Sequence, residues 1–155
     1  MGMFVLIMFS ARISGSHFNP IITFSYMIGN VRQGKFDRML GFFYIGAQFA
    51  GAAVGGLFSA ILFSGVDPKV KLGVEPSRMG SGILGETLGA FLMVFMYLCS
   101  TDERTKFTKE SVLQTMILAA SYMSAMFMSG SNTNLQLSPV NPAVAAFMTI
   151  TFNNS

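Results

Sequence analysis

Charge is scarce in this sequence and unevenly spread. Of 155 residues, 11% are charged and 52% are hydrophobic, and Met39 to Val66 and Ser111 to Ser155 contain no Asp, Glu, Lys or Arg at all. Met79 to Thr101 contains only Glu86. A soluble domain of this length carries more charge, whereas runs of about 20 mostly apolar residues are what a bilayer span requires. Cysteine is limited to Cys99, which excludes an internal disulfide. There is one histidine, His17, and His17, Cys99 and Glu86 stand in separate motifs, so no metal-ligand or nucleophile spacing is present and no cofactor or catalysis is implied. A myristoylation signal is excluded because Leu6 stands where Ser or Thr is needed. No basic segment precedes Met3 to Phe9, so this stretch reads as part of a membrane helix and not as a signal peptide.

What charge there is marks topology. The net charge of +3 could suggest nucleic acid, but the basic residues fall between the apolar runs. Arg32, Lys35 and Arg38 precede the first long run, Lys69, Lys71 and Arg78 follow it, and Arg104, Lys106 and Lys109 follow the second. If each run crosses, the first and third clusters share a face, which the positive-inside tendency assigns to the cytoplasmic or matrix-like side. The pattern therefore predicts a multi-pass, all-helical protein with the lipid bilayer as its first partner.

Apolar runs and punctuation place a partial span at Gly2 to Ser10 and full spans at Leu40 to Ser64, Gly82 to Cys99 and Val112 to Ser129. Pro20 to Ile28 and Pro142 to Phe152 are too short to cross, and each follows an asparagine. Val66 to Arg78 holds two turn-forming pairs, Asp67-Pro68 and Glu75-Pro76, and Asp102 to Glu110 reads as a solvated loop. Ala47, Gly51, Gly55 and Ser59 share one face of the first full span and Gly85 and Gly89 one face of the next, an arrangement that lets helix backbones approach closely.

The most informative feature is a repeated motif. SGSHFNPIITF begins at Ser14 and LSPVNPAVAAF at Leu137, so Asn19-Pro20 recurs as Asn141-Pro142, 122 residues later. Three candidate spans lie between them, and an odd number of crossings inverts the second copy relative to the first. Asparagine is a good N-cap and proline is favoured at the first helical position, so each motif can start a half-helix inside the membrane. Two such N-termini facing each other would create a positive region that repels cations, and the amides could donate to a passing water.

With these residues the sequence resembles the aquaporin (major intrinsic protein) family. SGSHFNPIITF is similar to the family's first Asn-Pro-Ala segment, with Ile21 in place of Ala, and Asn141, Pro142 and Ala143 match the second. YIGAQFAGAAVG from Tyr44 resembles its third span and GETLGAFLMVF from Gly85 its fourth. The resemblance implies an inverted-repeat fold, here incomplete, with the first and sixth spans absent, and a single domain in which residues 1–64 belong to the first repeat, 65–78 connect, and 79–155 belong to the second. It implies that Gln48 and Glu86 hydrogen-bond the irregular backbone leading into the half-helices, although an interhelical polar contact is an equal reading for Gln48. His17 is read as packing beneath the half-helix or as lining a pore. The family's filter arginine is replaced by Val144, and the neighbouring filter positions fall near Ser129 and Ser138. Two functions remain open on this reading. One is a passive channel for water or small neutral solutes, completed by partner chains. The other is a non-conducting structural subunit of a larger membrane complex.

Overall fold

The computed structural model describes residues 2–29, 36–62, 76–131 and 138–152. Among the described residues six α-helices follow in order: α1 (Gly2–Ser14), α2 (Pro20–Gly29), α3 (Arg38–Leu62), α4 (Met79–Thr101), α5 (Ser111–Ser131) and α6 (Pro142–Phe152), and a 3-10 turn, Pro76–Arg78, leads into α4. Among the described residues there are no strands. The helices α3, α4 and α5 are long and apolar enough to cross a membrane.

Helix ends follow local chemistry more closely than the apolar pattern suggests. The first helix runs to Ser14, beyond the expected end at Ser10. Arg12 is accommodated on its exposed surface, and the stop is Gly15, at φ 76°, whose N–H donates to the Ala11 carbonyl at 3.1 Å. That is the left-handed glycine closure of a helix. The third helix starts at Arg38, before the expected Leu40, because the Asp37 carboxylate accepts the Met39 N–H at 2.9 Å. Likewise α4 and α5 each extend beyond the expected limits at both ends. Ser64, Arg32, Lys35, Lys69, Lys71 and nearly all of the expected 65–78 connection lie outside the described residues. Between α4 and α5 the exposed loop is tied by Arg104 to Asp102 and Lys106 to Glu103.

Packing runs through a few close approaches. The pair α4 and α5 is seated on glycine: a Cβ at Gly89 would lie 2.9 Å from the Ala125 carbonyl oxygen and 3.3 Å from Ser129 Cβ, and Gly85 is buried on the same face. A helix backbone can come this near only where no side chain intervenes. The core is a cluster of Ile7, Ile22, Met93, Tyr97, Leu118, Ala125 and Val140, drawn from α1, α2, α4, α5 and the approach to α6. By contrast α3 buries only Gly41, and Phe42, Phe43, Phe58, Ile61 and Leu62 are all more than 60% exposed. Such a surface is stable where the surrounding solvent is lipid.

The third helix aligns the two short ones. Near its start Gly41 meets Met27 of α2, at its centre Gln48 bonds Thr23 of α2, and further on Gly56 meets Phe147 of α6. At 1.5 Å per residue the short helices measure roughly 15 and 17 Å, together close to the roughly 37 Å of α3. They lie head to head along it, jointly as long as one span. The close contacts at Gly41 and Gly56 replace the expected face of Ala47, Gly51 and Gly55. Those three are exposed, and a Cβ added at Gly51 or Gly55 would meet nothing within 4 Å.

Candidate functional site

The site lies where the N-termini of α2 and α6 meet. Each asparagine caps its own helix through Oδ1: Asn19 accepts the Ile21 N–H at 2.9 Å, and Asn141 accepts the Ala143 N–H at 3.1 Å and the Val144 N–H at 3.4 Å. Each also donates across the junction. Asn19 Nδ2 bonds the Val140 carbonyl at 2.8 Å and Asn141 Nδ2 bonds the Phe18 carbonyl at 2.9 Å. The exchange is reciprocal, and it depends on an unusual backbone. Phe18 and Val140, the residues just before the two asparagines, have φ of 46° and 43°. Non-glycine residues avoid this region, at a cost of about 1–3 kcal/mol each. The cross-bonds hold both residues there.

Three further carbonyls of the two non-helical approaches accept from tyrosines. Tyr97 Oη of α4 lies 2.5 Å from the Gly15 carbonyl and 2.7 Å from that of Ser16, and Tyr122 Oη of α5 donates to the Pro139 carbonyl at 3.2 Å. Irregular backbone at membrane depth is stable only with its polar groups satisfied in this way. Neither tyrosine carries a sequence signal that separates it from other aromatic residues of a span. Thr23 is equally silent in the sequence. Its Oγ1 donates to the Asn19 carbonyl at 3.3 Å, accepts Gln48 Nε2 at 2.9 Å and lies 3.2 Å from His17 Nδ1.

Of the two expected support residues, Gln48 makes the interhelical polar contact that was one of its two readings. Gln48 reaches the first motif through the Thr23 hydroxyl and not through loop backbone, and its Oε1 is buried without a hydrogen-bond partner. Glu86 is half-buried beside Ser129 and near Tyr122, and residues 132–137, most of the approach it was expected to bond, lie outside the described residues. His17 is 6% exposed, and the rings of Tyr26, Phe36, Tyr44 and Tyr97 surround it at centroid distances of 4.5 to 6.0 Å. It both packs beneath α2 and borders a recess of about 570 Å³.

That recess is lined by His17, Phe18, Gln48, Asn141, Ala143 and Val144, with the exposed face of α3 at Ala47 and Gly51. Val144 lies at its wall, but Ser129 and Ser138 do not. They are 0% and 1% exposed, Ser129 against Gly89 and Ser138 with its N–H on the Met126 carbonyl, so the filter positions inferred for them are corrected to packing positions. The two asparagines also differ. Asn141 borders the recess next to Tyr122, whereas Asn19 is wholly buried and turns its second amide hydrogen to Met93 Sδ at 3.5 Å. Ile21 is half-buried, Pro20 buried and Pro142 exposed.

Two half-helices capped and cross-bonded at their N-termini, held by three span-length apolar helices, define a membrane protein with an inverted broken-helix junction. The chain belongs to the major intrinsic protein family, whose description matches residues 1–155. It is accordingly an integral, multi-pass membrane protein. Among curated proteins it is 28% identical to "Lens fiber major intrinsic protein" of Rattus norvegicus over 92% of this chain and 53% of that one. It is 27% identical to "Probable aquaporin TIP5-1" of Oryza sativa subsp. japonica over 94% and 56%, and 28% identical to "Probable aquaporin NIP4-2" of Arabidopsis thaliana over 86% and 47%. The chain spans about half the length of these relatives. No solved structure matches.

Proposed function

We propose that this chain forms part of a passive membrane channel for water or small neutral solutes, completed by other membrane protein chains. The observation that carries this reading is the reciprocal asparagine junction, which brings two helix N-termini together beside a recess. Each N-terminus is equivalent to roughly half a positive charge, so the junction disfavours cations while leaving neutral hydrogen-bonding solutes unaffected. The recess is mostly apolar with a few convergent polar groups, from His17, Gln48 and Asn141, which suits a small solute that needs orientation and little else. Partner chains, either further copies or other members of a larger assembly, would cover the recess and the exposed face of α3. The repeat halves at 1–64 and 79–155 each supply one asparagine. Names of two relatives, both probable aquaporins, agree with this reading.

A second reading, a non-conducting structural subunit, is favoured by two observations: Asn19 is wholly buried, and Val144 stands where the resemblance expects a cation. Osmotic shrinkage of proteoliposomes separates the two. Shrinkage faster than that of empty liposomes, abolished by Asn19→Asp with Asn141→Asp, supports the channel. No excess permeability despite verified insertion, for the chain alone and with its co-purified partners, supports the structural subunit.

A further inference from the structure

Tyr97 and Met93 stand one turn apart on α4 and meet the first motif from the same side. The Tyr97 hydroxyl has a single proton to share between the Gly15 and Ser16 carbonyls, and it lies within 2.7 Å of both. The Met93 thioether takes the second amide hydrogen of Asn19 at 3.5 Å. Both side chains are buried, at 5% and 2% exposure. One helix thereby occupies two carbonyls and one amide donor of the run leading into α2. At the second motif the Pro139 carbonyl takes Tyr122 of α5, and Asn141 borders the recess.

Tyr97 also separates two cavities. A smaller one of about 240 Å³ is lined by Tyr97 together with Ile7, Gly15, Gln114 and Leu118. On the other side the ring of Tyr97 stands edge-on to His17, at 6.0 Å between centroids, and His17 lines the larger recess. The two cavities have no lining residue in common.

We propose that Tyr97, seconded by Met93, is the stop that closes passage past the first half-helix, by filling the space between the cavities and by occupying the polar groups that a file of water would use. Water in an apolar passage needs successive hydrogen-bond partners, and the backbone of Gly15 and Ser16 and the Asn19 amide are among those at this level. The tyrosine hydroxyl competes for them as a tethered donor. Opening requires Tyr97 to leave both carbonyls. The proposal rests on the channel reading for its consequence, but its geometry can be tested apart from conduction.

The test is thiol labelling of Ser16→Cys in a Cys99→Ser background, in liposomes, with a small water-soluble thiol reagent supplied on both sides. With Tyr97 intact, Cys at position 16 should react slowly. Tyr97→Phe keeps the ring and removes one hydrogen bond, and should speed labelling roughly two- to tenfold. Tyr97→Ala, which also removes the filling ring, should exceed that, and Met93→Ala should act in the same direction. Equal labelling rates in all four proteins, each verified as helical by circular dichroism, overturn the proposal. If Tyr97→Ala does not insert, the Tyr97→Phe and Met93→Ala rates decide. Osmotic permeability is measured in parallel. Faster labelling with permeability still at the empty-liposome level leaves the stop in place and removes the channel reading instead.

Discussion

Exchanging Asn141 for Asp isolates the cross-bond from the helix cap. The carboxylate retains an oxygen for the Ala143 and Val144 N–H groups but no longer offers the N–H that reaches the Phe18 carbonyl at 2.9 Å. A part-buried acceptor left without its donor costs up to about 1–3 kcal/mol, partly offset by about 0.3–1 kcal/mol from a carboxylate at a helix N-terminus. Asn141→Ala loses the cap as well, at about 1 kcal/mol more. Asn19→Asp should behave alike through the Val140 carbonyl at 2.8 Å. Because both bonds clamp one junction, the double Asp variant should lose less than the sum of the singles, with a coupling of about 0.5–3 kcal/mol. The assay is unfolding in mixed micelles with rising dodecyl sulfate, followed by far-ultraviolet circular dichroism. Strict additivity, or Asn141→Asp within about 0.5 kcal/mol of wild type, would refute the reciprocal clamp.

The same assay checks the packing assignments. Gly89→Ala should destabilise by about 1–3 kcal/mol, because its Cβ meets the Ala125 carbonyl and backbone cannot give way, while Gly51→Ala should be neutral or slightly stabilising. Thr23→Val removes the hydroxyl that joins Gln48, His17 and Asn19 and should cost about 1–3 kcal/mol. Adding Gln48→Met should then cost little more, since the amide has already lost its partner. Val144→Arg should destabilise by up to about 2.5–3.5 kcal/mol, because it sets a cation in the first turn of a half-helix at membrane depth, and in a conducting assembly it should reduce cation leak in a dye-release or flux assay.

Much of the architecture was legible before the structure. Runs with at most one charge identify α3, α4 and α5, and the two Asn-Pro pairs identify α2 and α6, because each motif brings its own cap and its own first-turn proline. Boundaries were less legible where a single residue outside the apolar pattern decides them, as Gly15 does for α1 and Asp37 for α3. Small residues were ambiguous for a related reason. Gly51 and Gly89 look alike as letters on a helical face, yet one borders a recess and at the other an added Cβ would lie 2.9 Å from a carbonyl oxygen.

The sequence by itself determined that this is a membrane-spanning helical chain with two inverted asparagine motifs, since the thickness of a bilayer and the chemistry of helix caps act on short stretches of chain. Only the tertiary structure decided that the asparagines cap their own helices while bonding each other's approach, that Tyr97 and Tyr122 close the exposed carbonyls, and that Ser129 and Ser138 are packing residues. Those outcomes depend on which buried donors lie within about 3 Å of which acceptors, across separations such as the 121 residues between Asn19 and Val140. No local pattern encodes a distance of that kind.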